Sequence, residues 1–381
     1  MRKSGGRLPL MRTALVLLSA ALLAAAAPAP LTGGTGTIYL GSYSRHIVAI
    51  DEATEKPAAR IPLKTGIPWS VRLSPDASRL YIENADQEHL EIVDLATRQS
   101  VDTFTLSEEN KKVRVLGFAG DPQNRFMVLV TRTLTKLPDR FEIGQPNIVK
   151  YDLAQHKVVQ TVPWTRDPEP QYFYLDLRFS PDGKSLFAIA SDVVVFDTEN
   201  LKIVDSWDLA LPNEGGLGRF DLGSIDDAND DPGFFTGLLT MKDPVQHREL
   251  LVVGRINLSK RSVEFFPIGP APEKGFVSFA LGGDRANGYA LVQSIGHNEL
   301  WTIDMAAKRV VSQTTFRGRP RMALRSSTNG KILYIYEAGN TIDLYDAAGF
   351  KYVRTITLDT DMTYDSFHVV RPRTAPRAEN R

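Results

Sequence analysis

The chain has 381 residues, with 45 lysines and arginines against 45 aspartates and glutamates, and it contains no cysteine. Balanced charge provides no overall field for nucleic acid or an anionic membrane surface, so we expect neither as a partner. The missing cysteines exclude disulfides, thiolate metal sites, a cysteine nucleophile and haem attachment through a Cys-x-x-Cys-His motif.

The amino terminus has the layout of an export signal. Several basic residues in the first twelve positions precede an apolar run over residues 14–27, which ends in small residues. This pattern predicts a signal peptide over residues 1–27 and a periplasmic protein, with a retained signal anchor as the alternative. A glycine-rich linker follows over residues 28–36. No later run is apolar for long enough to span a bilayer, so we expect no membrane span in the mature chain.

One short pattern recurs along the rest of the chain at intervals of roughly 40 to 60 residues. An apolar, strand-like run ends in a polar residue that opens a turn, at Asp51, Asp94, Asp152, Asp197, Asn257, Asp304 and Asp346. No long segment has helical periodicity. The pattern predicts an all-β fold, a seven-bladed β-propeller over residues 37–371, in which each unit is a four-stranded antiparallel sheet.

Turn residues subdivide each unit. Ser-Pro-Asp occurs at residues 74–76 and 180–182, and Asn329-Gly330 has the same place in the last unit. Such residues favour tight turns between strands, in which glycine adopts the left-handed conformation. The repeated aspartate after each third strand is interpreted as an Asx turn and not as a catalytic group.

The two ends of the chain are predicted to complete one blade. The first unit begins at Ile38 with three strands only, whereas residues 366–370 form a spare strand after the seventh unit. Pairing of this strand with the first unit would remove an open sheet edge. Residues 372–381 are expected to be a disordered tail.

Two insertions interrupt the regular blades, at residues 132–147 and 211–233. The first joins the second and third strands of blade three, and the second joins blade four to blade five, so both are expected on one face. Long loops on a rigid scaffold commonly bind partners or substrates. The residues proposed for that face are Phe141, Gln145, Asn147, Arg219, Phe220, Phe234 and Phe235. Tolerated surface decoration, with the phenylalanines packing their own loops, is the alternative.

The sequence offers only a weak metal site. Asp227, Asn229 and Asp231 alternate like the start of a calcium loop, but Pro232 stands where the turn glycine belongs and Leu238 where the bidentate glutamate belongs. Four of the six histidines, His46, His89, His247 and His297, are expected on the face of the insertions, one per blade and without paired spacing, so we expect them to be solvated and no metal to bind.

Three passages resemble a known family: residues 112–119 (KVRVLGFA), residues 141–147 (FEIGQPN) leading into VKYDLAQHKVV, and residues 235–241 (FTGLLTM). The repeats resemble bacterial YVTN-type propellers, and the three passages look like the β-subunit of quinohemoprotein amine dehydrogenase. The resemblance implies a subunit without its own redox cofactor, beside a haem c-bearing subunit and a small subunit with a tryptophan-derived quinone. No catalytic residue is carried over to this sequence.

Two functions therefore stay open. One is a non-catalytic scaffold subunit of a periplasmic amine dehydrogenase, which deaminates primary amines oxidatively. The other is a stand-alone YVTN-type propeller that binds a surface ligand or a protein. A lactonase-like propeller enzyme is a weaker third option, because its acidic and histidine ligands are not evident in the sequence.

Overall fold

A computed structural model describes residues 31–166, 169, 175–190, 192–208, 221–225, 231, 233–243, 245–272, 275–294, 296–319, 322–337 and 339–372. The predicted signal peptide lies outside the described residues, and so does the predicted tail except for its first residue, Pro372. Residues Thr32–Arg381 belong to one compact unit. In the described part of the chain, no helix has the length and apolarity that a membrane span requires.

The described chain is all-β, and its strands form seven four-stranded antiparallel blades. The first and last blades are also joined to each other by one pair of residues in adjacent strands, Ser42 and Met362. Blade one contains β1 (Thr37–Ser42), β2 (His46–Asp51), β3 (Lys56–Pro62) and, from the end of the chain, β28 (His368–Val370). Blades two to four contain β4 (Pro68–Leu73), β5 (Arg79–Asn84), β6 (His89–Asp94), β7 (Gln99–Thr105); β8 (Lys111–Gly120), β9 (Phe126–Lys136), β10 (Phe141–Asp152), β11 (Lys157–Pro163); β12 (Asp176–Phe179), β13 (Ser185–Ile189), β14 (Asp192–Asp197) and β15 (Ile203–Asp208).

The remaining three blades follow the same order. They contain β16 (Asp221–Ile225), β17 (Phe234–Lys242), β18 (Glu249–Asn257), β19 (Ser262–Pro270); β20 (Gly275–Leu281), β21 (Asn287–Ser294), β22 (His297–Asp304), β23 (Arg309–Phe316); β24 (Met322–Ser326), β25 (Ile332–Glu337), β26 (Gly339–Asp346) and β27 (Lys351–Met362). The prediction of a seven-bladed β-propeller closed by both ends of the chain is confirmed.

Burial explains how the strands are ordered within a blade. The second and third strands of blade two, β5 and β6, are buried along nearly their whole length, whereas the fourth strand, β7, alternates between exposed and half-buried residues. Both faces of a middle strand pack against a neighbouring blade, so the core lies in apolar layers between blades. Tyr81 of blade two, for example, packs with Met127 and Leu129 of blade three.

The repeated turn residue has the same role in every blade. The Oδ1 atom of each accepts a hydrogen bond from the backbone N–H three residues later in six blades and two residues later in blade seven. The hydrogen bond from Thr54 lowers the pKa of Asp51 below its ordinary value, and the backbone N–H of Gln155 does the same for the pKa of Asp152. The interpretation of these residues as Asx turns is confirmed, and it explains why this polar residue marks the period of the sequence.

Turns between first and second strands contact one another around one face. Asn124 Nδ2 of blade three donates to Asp76 Oδ2 of blade two at 2.9 Å. Asn329 Nδ2 of blade seven donates at 2.9 Å to the carbonyl oxygen of Thr32, in the segment that precedes blade one. We call this end of the propeller the turn face. The opposite end, where second strands turn into third strands, is called the hairpin face.

Closure of the ring combines strand pairing with a buried carboxylate. β28 pairs with β1 through Thr37–Val370, Ile38–Val369 and Tyr39–His368. Beside this pairing, Glu52 of blade one is fully buried and accepts hydrogen bonds from Gly36 N at 2.9 Å, Thr328 N at 3.2 Å, Thr328 Oγ1 and the Tyr334 hydroxyl at 3.0 Å. One side chain thus joins the amino-terminal segment to blades one and seven.

Candidate functional site

The insertion at residues 132–147 is not a loop, in contrast to the expectation. β9 has 11 residues and β10 has 12, whereas the second strand of blade two has six. The five additional residues extend the hairpin by roughly 16 Å beyond the hairpin face. Residues 133–145, which lie beyond the Arg132–Pro146 pair, are called the projecting hairpin.

Main-chain hydrogen bonds hold the projecting hairpin in place. β8 is also long and pairs with β9 as far as Lys111–Thr135, so the projection has three strands at its base. The Leu137 N–H donates to the Arg140 carbonyl at 2.8 Å and closes the turn, and Lys136 N donates to the Asn110 carbonyl at 2.8 Å. Arg132 forms an ion pair with Glu169 at 2.6 Å. The projection is therefore a supported piece of sheet.

One side of this sheet is apolar and exposed. Phe141 and Ile143 alternate along β10 and are 65% and 68% exposed. Ile143 lies opposite Leu134, which lies opposite Lys112, and Phe141 lies opposite Lys136. Residues opposite each other in antiparallel strands point to the same side of the sheet. Phe141, Ile143 and Leu134 therefore form one apolar strip, which is called the docking strip.

Cations border the docking strip. Lys112, Arg114, Arg132 and Lys136 occupy positions on the same side by strand register. Glu88 pairs with Lys112 at 3.0 Å and Glu169 pairs with Arg132. An apolar centre with a charged border has the composition of a protein interface, and its sign favours a partner with acidic groups at the edge.

Three of the residues predicted for that face, Phe141, Gln145 and Asn147, lie along β10 and not in a loop, and they do not act alike. Phe141 belongs to the docking strip. Gln145 is exposed in the bulge between Ile143 and Pro146, and its carbonyl oxygen accepts a hydrogen bond from Asn147 Nδ2 at 3.1 Å. Asn147 therefore braces the bulge. Sequence reasoning missed Ile143, although the alternation of Phe141, Glu142 and Ile143 is the signal that places both apolar side chains together.

The second insertion does not lie as predicted. It contains the strand β16, which pairs with β17 and is the first strand of blade five. The chain between Ile225 and Phe234 therefore connects a first strand to a second strand, so its described residues, Asp231 and Gly233, belong to the turn face. Phe234, Phe235 and Asp231 are on the opposite face from the projecting hairpin, so the expectation of one shared wall is wrong for them. Arg219 and Phe220 lie outside the described residues.

The two phenylalanines that begin β17 pack within the protein. Phe235 is 2% exposed and lies in the core layer between blades four and five, with Phe187 and Ile256. Phe234 lies under the Arg255 guanidinium, whose central carbon is 3.9 Å from the ring centre. Consecutive residues of a strand point to opposite sides, so the pair did not suit one interface. Both are corrected to structural residues, but they pack against strands of the propeller, whereas the alternative interpretation had them packing against their own loop.

Asp231 forms ion pairs with arginines. Its Oδ2 atom lies 3.0 Å from Arg255 Nη2, and its Oδ1 atom accepts a hydrogen bond from Arg285 of blade six. With both oxygens engaged by guanidinium groups, this carboxylate is poorly suited to bind calcium. Asp227 and Asn229, the other two predicted calcium ligands, lie outside the described residues.

Histidines of the hairpin face have local partners. His89 Nδ1 lies 2.8 Å from Asp86 Oδ2, His297 Nε2 lies 2.8 Å from Glu299 Oε1, and His46 Nδ1 lies 2.7 Å from the Ser44 carbonyl oxygen. Over the ranges that the structure describes, no three histidine, aspartate or glutamate side chains are grouped as a metal site.

No family model matches the chain, and no curated protein matches its sequence. Among solved structures, it is similar to hydrazine synthase of Kuenenia stuttgartiensis, with 13% identity, a TM-score of 0.50 and coverage of 83% of this chain and 90% of that chain. A functionally unknown protein from Desulfotomaculum acetoxidans DSM 771 has 13% identity, a TM-score of 0.54 and coverage of 89% and 100%. The dihydro-haem d1 dehydrogenase NirN, in complex with DHE, has 16% identity, a TM-score of 0.49 and coverage of 87% and 75%. At these identities, the first two similarities show the β-propeller fold alone.

Proposed function

We propose that this chain is a non-catalytic docking subunit of a periplasmic amine dehydrogenase of the quinohemoprotein type. The propeller is the scaffold, and haem c and a tryptophan-derived quinone reside on two partner subunits. The single observation that carries the proposal is the docking strip, Phe141, Ile143 and Leu134, on the projecting hairpin.

The physical argument concerns the cost of exposing these side chains. Large apolar side chains that are exposed on a projecting hairpin do not stabilise the propeller core. Burial of the same side chains against a partner would contribute strongly to the free energy of association. The hairpin is held by Asn110 and Glu169 before any partner arrives, so little conformational entropy is lost on binding. The occupant proposed is the haem-bearing subunit, through an apolar patch with acidic residues at its border.

The redox chemistry is assigned to the partners because this chain has no cysteine. Neither a thioether-bound haem c nor a quinone cross-linked to cysteine can form without that residue. The chain's own residues would then orient the partners and enclose the amine site from one side. The alternative is a stand-alone YVTN-type propeller in which the same docking strip binds a different surface protein.

The test compares the wild-type protein with a Phe141→Ser, Ile143→Ser variant, each tagged and expressed in the native periplasm. We expect the wild type to copurify a protein with a c-type haem spectrum and amine-dependent dye reduction, and the variant to lose at least about nine-tenths of both. Val204→Ser is the matched control, because Val204 is an exposed apolar residue of an outer strand, 61% exposed.

Two outcomes would contradict parts of the proposal, and a third would show that the assay is not specific. Unchanged capture by the double variant would show that the docking strip is not the interface. A captured partner without haem and without amine oxidation, lost in the variant, would support the stand-alone alternative. Equal loss of capture in Val204→Ser would mean that the assay reports non-specific hydrophobic binding to the protein surface.

A further inference from the structure

A cleft between blades five and six opens on the turn face, away from the docking strip. Its volume is about 220 Å³. One wall is the side of blade five that faces blade six, and the other consists of Leu281 and two turns of blade six. Val253, Phe266, Leu281 and Met305 form the apolar part of the lining, and Asp231, Arg255, Glu264, Arg285 and Lys308 form the charged part.

The cleft lies at a position that is occupied by an aromatic side chain in five of the other six blades. Thr236 of the second strand lies opposite Arg255 of the third strand. Arg255 is two residues before the turn residue Asn257, and this relation defines the register that is compared between blades. The residue at the same register is a tyrosine in four blades, namely Tyr39, Tyr81, Tyr289 and Tyr334. In blade four it is Phe187 and in blade three Val128. Blade five alone has a small polar residue at this register.

Those tyrosines show what fills the position elsewhere. Tyr81 is 1% exposed, packs against blade three, and its hydroxyl donates to Asn124 Oδ1 in the turn of that blade at 2.7 Å. Its ring therefore occupies the space between the blades, and its polar end reaches the next turn. In blade five, the short side chain of Thr236 fills neither the space of the tyrosine ring nor the position of its hydroxyl group.

The polar groups of the cleft lack internal partners at two points. Thr236 is 1% exposed, and its Oγ1 atom has no hydrogen-bond partner among the described residues. A buried hydroxyl without a partner is costly, and a bound ligand would remove that cost. Lys308 lies in the turn of blade six with no ion-pair partner in the described part of the chain. Three cations against two carboxylates give the described lining a net positive charge.

We infer that this cleft binds a small aromatic carboxylate. The ring would lie between the blades, against Phe266 and Met305, as the tyrosine rings do elsewhere. The carboxylate would bind the Thr236 hydroxyl and the Lys308 ammonium, in the positive field of Arg255 and Arg285. A cavity of about 150 Å³ holds one benzene molecule, so about 220 Å³ has room for a single ring with one carboxylate.

The test is calorimetric titration of the purified propeller with benzoate, and with benzylamine as the ligand of opposite charge. Benzoate is expected to bind saturably with a Kd near or below about 1 mM, and benzylamine is expected not to bind. Thr236→Tyr, which restores the residue of the other blades, should weaken benzoate binding at least about tenfold. Lys308→Gln should weaken it several-fold, whereas Arg309→Gln, which removes the same charge one residue away, should not.

Absence of saturable benzoate binding up to about 10 mM would overturn the inference. So would wild-type affinity in Thr236→Tyr, or binding of benzylamine in place of benzoate. Lys308 is an exposed turn residue, so its variant keeps the test decisive if Thr236→Tyr does not fold. The Phe141→Ser, Ile143→Ser variant should bind benzoate normally, because the cleft and the docking strip are on opposite faces.

Discussion

The Tyr334 hydroxyl donates a hydrogen bond to Glu52 at 3.0 Å, across 282 positions of sequence. The bond connects the last blade to the first, beside the pairing of β28 with β1. Because Glu52 also accepts hydrogen bonds from Gly36 and Thr328, a single carboxylate is the acceptor for donors from three separate segments. The seam of the ring is therefore a defined polar site whose removal can be measured.

Glu52→Ala should lower the free energy of unfolding by about 2–4 kcal/mol, because buried donors of Gly36 and Tyr334 lose their acceptor. Urea unfolding followed by fluorescence measures the change. The control is Glu199→Ala, at an exposed turn position, which should shift stability by less than about 0.5 kcal/mol. Equal stability of Glu52→Ala and the wild type would mean that the seam does not depend on this carboxylate.

Stability should also depend on pH through Glu52. Burial raises the pKa of this carboxyl above its ordinary value of 4.5, against the hydrogen bonds that favour the charged form. A folded-state pKa above the unfolded one means that the folded protein holds the proton more tightly, so this group's contribution is largest below pH 4.5 and declines as pH rises. Glu52→Gln does not titrate. Its free energy of unfolding relative to the wild type should therefore increase between about pH 4 and pH 7, and a constant difference would refute the assignment.

Deletion of residues 364–381 should prevent closure of the propeller. It removes β28, which pairs with Thr37, Ile38 and Tyr39, and it removes the Phe367 carbonyl that accepts a hydrogen bond from Arg325 at 3.0 Å. The edge of β1 would then be exposed, so we expect a lower melting temperature and aggregation. Deletion of residues 374–381 is the control and should change neither. A soluble protein with an unchanged melting temperature after the longer deletion would contradict the role of β28.

Truncation to alanine should lower the stability of the protein strongly at Phe235 and very little at Phe141. Phe235→Ala should cost about 3–5 kcal/mol of folding free energy, because it leaves a cavity between blades four and five. Phe141→Ala should change stability by less than about 0.5 kcal/mol, since that ring is largely exposed. Thermal unfolding of both variants measures this. A large loss of stability in Phe141→Ala would make the projecting hairpin a structural element instead of an interface.

The propeller was predictable because its repeat is marked by a residue with a fixed backbone role. Asp94, like the equivalent residue of other blades, accepts a backbone hydrogen bond that the turn requires. The projecting hairpin was not predictable in the same way. Leu134 is the single apolar residue of residues 131–136 (TRTLTK), so this part of the sequence has no apolar alternation. Its strand is held by main-chain pairing with β8 and β10.

The misplaced site residues have a similar cause. β16 is a five-residue strand inside a long insertion, and without it the segment before Phe234 counts as one connection between blades. Recognising a strand there moves Phe234 and Phe235 to the other face. The cleft at Thr236 was also hidden, because an empty place between two sheets becomes visible only when the registers of all seven blades are compared.

The pairing of β28 with β1 also bears on the order in which the protein folds. Blades two to seven each consist of consecutive strands, so each can form as soon as its own residues are available. Blade one has its second, third and fourth strands at the start of the chain and its first strand at the end. During synthesis, β1, β2 and β3 are therefore made first among the strands, but their blade cannot be completed until β28 has been made. The step that completes the native state spans nearly the whole sequence, which places the slowest loop closure last and leaves the edge of β1 unprotected until then.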